Sequence, residues 1–283
     1  MQILSTLPDL SAQAERWRTE GQRIALVPTM GYFHEGHLAL MRHARSLAHR
    51  VVVSRFINPT QFGPAEDLAA YPRDAGRDIA LAGAEGVDAL FQPAAEAMYA
   101  PDHATWVDVP ALSSVLCGVS RPTHFRGVCT VVLKLFHLAR PHVAVFGEKD
   151  WQQLAVIRRM ARDLNVDVDI VGHPIVRESD GLAMSSRNAY LSAEERAQAP
   201  GIYRGLLAMA HRVRQGERDA AALLAGLRED LKRDVPSGEP DYLSIVHPDT
   251  LQNLTRLDDA ALVAVAVRLG RARLIDNLRL LPL

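Results

Sequence analysis

Apolar residues follow two alternating patterns along the first two thirds of the chain. Short, nearly unbroken apolar runs occupy 24–27, 51–54, 87–91, 143–146 and 168–171. Such continuity over four or five residues marks strands covered on both faces, as in a parallel sheet. Between the runs, apolar residues recur three or four apart: Leu10, Ala14 and Trp17; several in 38–44; Ile79; most of 128–139; and Leu154, Ile157, Met160 and Ala161. That is helical spacing. The alternation predicts an α/β fold, a parallel sheet with right-handed crossovers, which binds ligands at the carboxyl ends of its strands. Pro28 is expected to end the first strand, because it has no N–H to donate. Residues 175–178 read as one more short strand, and 98–127 as irregular.

The pattern changes near the C-terminal third. Ser192 with Glu195 three residues later makes a capping-box-like helix start, and helices are expected over 193–214 and 219–233. Three strand-like runs follow at 242–246, 262–268 and 273–280, with Arg268-Leu269-Gly270-Arg271 as a hairpin turn. This predicts a smaller α/β unit from near Arg177, built on an antiparallel sheet and placed to cover a cleft in the first unit.

Composition narrows the class. The 283 residues are 48% hydrophobic and 23% charged with a net charge of −1, so no basic face for nucleic acid or for a membrane surface is expected. The longest apolar run, 260–267, is too short to span a bilayer. The start of the chain lacks a basic segment followed by an apolar core, so no signal peptide is expected. Cys117 and Cys129 lack metal-ligand or redox spacing and read as buried thiols in a reducing cytoplasm.

Chemistry concentrates at the predicted strand ends. The stretch Pro28-Thr29-Met30-Gly31-Tyr32-Phe33-His34-Glu35-Gly36-His37 is a strand-to-helix turn, with Gly31 and Gly36 letting the backbone bend and approach a ligand. With a helix starting near Glu35, His34, His37 and free backbone N–H groups converge on one spot. That suits phosphate oxygens and the charge that builds on a phosphorus under attack. Neither a P-loop nor a dinucleotide fingerprint follows this strand. The next strand delivers Gln61, beside Phe56 and Phe62, to the same edge, where it either faces solvent or suits a small polar substrate with an apolar body.

The fourth apolar run leads into Gly147-Glu148-Lys149-Asp150-Trp151-Gln152-Gln153. Lys149 is unfavourable at a helix start unless an anion lies nearby, although pairing with Glu148 or Asp150 is the plainer alternative. Asp150 complements the helix dipole or holds a ribose hydroxyl, and Gln153 lies one turn after Lys149 on the same side. In Met184-Ser185-Ser186-Arg187, two hydroxyls beside a planar cation can wrap a polyphosphate. Arg121, His124 and Arg126 form a basic loop suited to phosphate, to a carboxylate or to a partner subunit.

Taken together, the motifs Pro28 to His37, Asn58-Pro59-Thr60-Gln61-Phe62, His124-Phe125-Arg126-Gly127, Phe146 to Gln153 and Met184-Ser185-Ser186-Arg187-Asn188 closely resemble the pantoate–β-alanine ligases, in the same order over nearly the whole chain. His-x-Gly-His alone marks only the wider nucleotidyltransferase group. The resemblance implies a Rossmann-like domain (1–176) with helices on both sheet faces, a C-terminal α/β lid (177–283) and a cytoplasmic homodimer. It implies that pantoate attacks the α-phosphorus of ATP and that β-alanine then attacks the acyl adenylate. It assigns catalysis to His34, His37 and Lys149. ATP falls to Met30, Gly31, His34, Gly36, His37, Gly147, Lys149, Asp150, Val176, Met184, Ser185, Ser186 and Arg187. Pantoate falls to Pro28, Met30, Gln61 and Gln153, and β-alanine to Gln61. Mg²⁺ is expected to accompany ATP; its protein ligands are left unassigned, with the acidic cluster near Asp74 and Asp78 as one candidate. Thr123, Trp151 and His247 depart from the family pattern. The rival readings are an adenylyltransferase acting on a phosphorylated acceptor and a nucleotide-binding module without turnover.

Overall fold

The computed structural model describes residues 1–63 and 68–280. Among them, six parallel strands form one sheet: β1 (Gln2–Leu4), β2 (Ile24–Thr29), β3 (Arg50–Arg55), β4 (Ala89–Phe91), β5 (Val143–Gly147) and β6 (Asp169–His173). Their order is β1-β4-β3-β2-β5-β6. Helices α1 (Leu7–Thr19), α2 (Glu35–Leu47), α3 (Ala75–Ala84), α4 (His124–Ala139) and α5 (Trp151–Asp163) cover both faces. Strand side chains alternate between two cores. Leu26, Val52 and Phe146 pack with α1, α4 and α5, whereas Val27, Val53 and Val145 pack with α2 and α3. Both faces are apolar, which is why the strands read as unbroken runs.

The second unit has helices α6 (Ala193–Gln198), α7 (Gly201–Arg214) and α8 (Ala220–Asp234) beside an antiparallel sheet of β7 (Gly238–Val246), β8 (Ala261–Leu269) and β9 (Ala272–Leu280). The capping box forms: Glu195 N–H donates to Ser192 Oγ at 3.3 Å and Ser192 N–H to Glu195 Oε2 at 2.8 Å. Leu206, Leu227 and Val265 belong to this unit's own core. Val246, Leu251, Leu262 and Ala264 instead join the core under α5, so the two units share apolar surface.

Several expectations are corrected. β2 runs through Pro28 to Thr29, paired with Ser54 and Arg55 of β3. The Phe56 N–H donates to Thr29 O, so Thr29 faces β3 and Pro28 faces β5, where the ladder already ends at Leu26. The missing N–H therefore breaks no pair. Residues 175–178 form no strand and contribute only an isolated bridge, Arg177 to Ala183. The single helix expected over 193–214 is two, because Pro200 cannot donate in the helical ladder. Helix α4 starts at His124, so it absorbs His124 and Arg126 from the expected basic loop. The edge strand β1 has no counterpart in the apolar pattern, since three residues carry no periodicity.

Candidate active site

The connections out of β2 and β5, central neighbours in the sheet, run to opposite sides of it. A crevice opens at their carboxyl ends, as the topology of open α/β sheets requires. A cavity of about 230 Å³ lies there. Its wall carries Pro28, Met30, His34, Gly36, His37, Gln61, Gly147, Lys149, Asp150, Gln153, Val176, Met184, Ser185, Ser186 and Arg187. Gly31 is the exception among the expected site residues. It is buried behind the wall with φ +86°, donating its N–H to Thr29 Oγ1 at 3.2 Å.

His34 is the N-cap of α2, and His37 lies in its first turn. Their rings stand 4.1 Å apart, centroid to centroid. The Gly36 N–H donates to His34 Nδ1 at 3.2 Å, and the His34 N–H to His37 Nδ1 at 3.3 Å. A Cβ on Gly36 would lie 2.9 Å from the His34 ring, so the ring folds back only over glycine. Burial, with Lys149 adding to it, lowers the His34 pKa to about 4. Burial, then His34 and Lys149, holds His37 well below the ordinary imidazole value. Both rings are therefore neutral at pH 7. Because each Nδ1 accepts a backbone N–H, the proton of each sits on Nε2. The first turn of α2 thus offers two uncharged Nε2–H donors beside its own N–H groups.

The loop carrying these rings is clamped from beneath. The Asp78 carboxylate, wholly buried in α3, accepts Tyr32 N–H at 2.8 Å and Phe33 N–H at 2.7 Å. Tyr32 is left-handed at φ 52°, a conformation that such a clamp can hold. Asp74 caps α3 through Arg77 N–H. The acidic pair is therefore structural and not the metal site expected. Among the described residues, no three His, Cys, Asp or Glu side chains cluster as metal ligands.

Opposite, Gln61 is 8% exposed and not the solvent-facing amide of the plainer alternative. Asn58, which the sequence reading did not assign, donates Nδ2–H to Gln61 Oε1 at 3.2 Å and to Gly127 O at 3.1 Å. The Asn-Pro pair that opens the turn is the signal that could have revealed it. Gln61 Nε2 donates to Met30 Sδ at 3.0 Å. The Gln61 carbonyl accepts from His124 Nδ1 at 2.9 Å and Arg121 Nη2 at 3.3 Å, so both residues hold this turn. Arg126 instead lies 4.9 Å over the Trp106 ring.

Lys149 follows β5 with its side chain 19% exposed and its Nζ 3.9 Å from Asp150 Oδ2. The pairing alternative is realised only loosely, and the ammonium still lines the cavity. Ser185 Oγ caps its own turn by accepting Arg187 N–H at 3.2 Å, and Ser186 Oγ lies 3.3 Å from the Tyr71 hydroxyl. The Lys149 and Arg187 cations, the Ser185 and Ser186 hydroxyls and the Gln61 and Gln153 amides thus line one cavity. Among the described residues of this wall, no hydrogen-bonded nucleophile–base pair matches a covalent mechanism.

The family profile described as pantoate-beta-alanine ligase matches residues 2–279. The chain belongs to the pantoate–β-alanine ligase family. A pantothenate synthetase of Nitratidesulfovibrio vulgaris (strain DSM 19637 / Miyazaki F) is 64% identical over 280 residues, covering 99% of both chains. The pantothenate synthetase structure from Thermus thermophilus superposes with a TM-score of 0.94 at 50% identity over the full length of both chains. The pantoate-beta-alanine ligase of Francisella tularensis, solved with beta-gamma ATP and beta-alanine, superposes with a TM-score of 0.80 at 29% identity over 98% of this chain and 97% of its own. Trp151, one of the departures from the ligase family pattern, donates its indole N–H to Pro248 O at 2.8 Å and so joins the two units. His247 Nδ1 accepts Asp249 N–H at 3.2 Å within its own turn, and Thr123 precedes α4 without a side-chain cap.

Proposed function

We infer that the protein condenses (R)-pantoate with β-alanine at the expense of ATP, giving pantothenate, AMP and pyrophosphate through pantoyl adenylate. The observation that carries this reading is the cavity itself, whose wall brings together two neutral imidazole donors and Lys149, which suit an anion, and Gln61 and Gln153, which suit a small polar acid. The pantoate carboxylate attacks the α-phosphorus and pyrophosphate leaves. The amine of β-alanine then attacks the acyl carbon and AMP leaves. Both nucleophiles come from substrates, so the protein contributes positioning and electrostatics.

In this reading, the Nε2–H groups of His34 and His37 and the Lys149 ammonium stabilise charge on the phosphates. Met184, Ser185, Ser186 and Arg187 grip the triphosphate, while Gly147, Asp150 and Val176 lie on the adenosine side; Met30 and Gly36 also border ATP, with Gly31 shaping the turn behind them. Gln61 and Gln153 orient pantoate over Pro28 and Met30, and Gln61 also meets β-alanine. Mg²⁺ enters with ATP as part of the substrate. Asp150 is the single carboxylate on the described wall, which suits a cation held mainly by phosphate and water. Residues 1–176 form the nucleotide domain and 177–283 the lid of a homodimer. Buried free thiols at Cys117 and Cys129 suit a cytoplasmic location. No helix among the described residues is long and apolar enough to cross a membrane.

The test is exchange of labelled pyrophosphate into ATP without β-alanine. Exchange that requires pantoate is expected. Pyrophosphate release that depends instead on a phosphorylated acceptor, with the AMP moiety retained on that acceptor, would replace this reading with the adenylyltransferase one.

A further inference from the structure

Two of the segments facing the cavity are tied to a single place on the second sheet. Asp276 and Asn277 are adjacent in β9, and each is 5% exposed. Asn277 Nδ2 donates to Glu148 O at 2.8 Å and to Lys149 O at 2.9 Å. Both of its N–H donors are thereby used on the turn that presents the Lys149 side chain. Asp276 holds Arg177 bidentately, with Nη1 to Oδ2 at 2.7 Å and Nη2 to Oδ1 at 2.9 Å. Arg177 Nη1 also donates to Gly181 O at 3.1 Å, and the guanidinium lies 3.6 Å over the Tyr203 ring. Arg177 is the root of the loop that ends in Met184–Arg187 and bridges back to Ala183. The Asn277 backbone N–H donates to Asp276 Oδ1 at 2.7 Å, which fixes the Asp276 carboxylate against the strand beside Asn277.

A buried ion pair is weak evidence for stability, since apolar side chains of similar volume often serve as well. Two adjacent buried polar residues in a strand whose neighbours are apolar therefore call for another account. Each grips a different phosphate-facing segment, and the grips share one strand. Breaking the contact of β9 with the first unit would free the Lys149 turn and leave the 178–187 loop behind with the second sheet. We propose that Asp276 and Asn277 are positioning residues for adenylation: seating the second sheet sets the Lys149 turn and the Ser185–Arg187 loop in register, so cation and hydroxyls meet the phosphates together. This rests on the reading of Lys149 as a phosphate-facing group.

The experiment is a double-mutant cycle on pantoate-dependent pyrophosphate exchange, using Lys149→Ala, Asn277→Ala and the double variant, with thermal midpoints recorded for each. Lys149→Ala is expected to slow exchange about 10²-fold or more, the scale of a lost transition-state contact. Asn277→Ala is expected to slow it about tenfold or more by misplacing that group. The double variant should be within about twofold of Lys149→Ala alone, because residues acting as a unit are not additive. Multiplied losses, or wild-type exchange by Asn277→Ala, would overturn the coupling while leaving the Lys149 reading intact. Wild-type exchange by Lys149→Ala would remove that reading and the proposal with it. If Asn277→Ala does not fold, Asn277→Ser keeps one donor, and the same cycle decides. Asp276→Asn with Arg187→Ala is the parallel cycle for the other grip, with the same non-additivity expected.

Discussion

His34 and His37 act here as shaped neutral donors and not as cations. Burial is the largest cause of this, and Lys149 adds to it. The consequence for His34 has a definite sign. Its folded pKa, about 4, lies below the ordinary 6.5, so the unfolded chain takes up a proton that the folded one refuses. Stability is full above about pH 6.5 and falls as pH drops through about 4, by on the order of 3 kcal/mol. An imidazole NMR titration of the free protein should place His34 near 4, and a midpoint between 6 and 7 would contradict the buried neutral ring. His34→Asn should flatten the loss of stability across the same window in denaturant titrations. Lys149 and Arg187 complement these uncharged donors as cations on the same wall. Gln61 tests the assignment of pantoate. Gln61→Ala should weaken pantoate binding far more than ATP binding, and equal weakening in calorimetric titrations would contradict its role.

At the scale of elements, the site is held partly by helices behind it. Helix α3 supplies Asp78, whose carboxylate satisfies two backbone N–H groups of the turn before α2, and Arg77, whose Nη1 donates to Phe33 O at 2.8 Å. Asp78→Ala leaves both donors buried without a partner, at about 1–3 kcal/mol each. Chemical denaturation should report that loss, and exchange should fall with it because the turn delivers His34. A variant as stable as the wild type would show that the clamp is dispensable. Helix α4 works by proximity. A Cβ at Gly127 would lie 2.5 Å from Thr60 O and 2.8 Å from Gln61 N. Gly127→Ala must therefore displace the 58–61 turn, and the KM for pantoate should rise about tenfold while that for ATP changes little, on the scale of a group misplaced by a fraction of an ångström.

For the whole molecule, the decisive fact is that the second sheet, besides its own core, shares an apolar interior with the first. Val246, Leu251, Leu262 and Ala264 pack into the core beneath α5, and Trp151 reaches across to Pro248. Calorimetry should therefore show one unfolding transition at neutral pH, and two well-separated transitions would contradict the shared core. The parallel sheet, its helices, the hairpin and the strand ends that carry His34, His37, Gln61 and Lys149 were all readable along the chain. Each is written in local periodicity or in a short motif whose backbone requirement is local. Three further features needed the folded molecule. Asp78 looked like a metal ligand because its true partners lie 45 and 46 residues away. Pro28 looked like a strand end because which neighbour its missing N–H would face depends on where the β5 ladder stops. Asp276 and Asn277 carry no signal within the 273–280 run, because the carbonyls and guanidinium they hold are 99 to 129 residues distant. Sequence alone determined the elements and the chemistry they carry, because propensity and motif act over a few residues. Tertiary structure decided which buried polar groups hold which loop, because a buried hydrogen bond is defined by its partner and the partner is supplied by the fold.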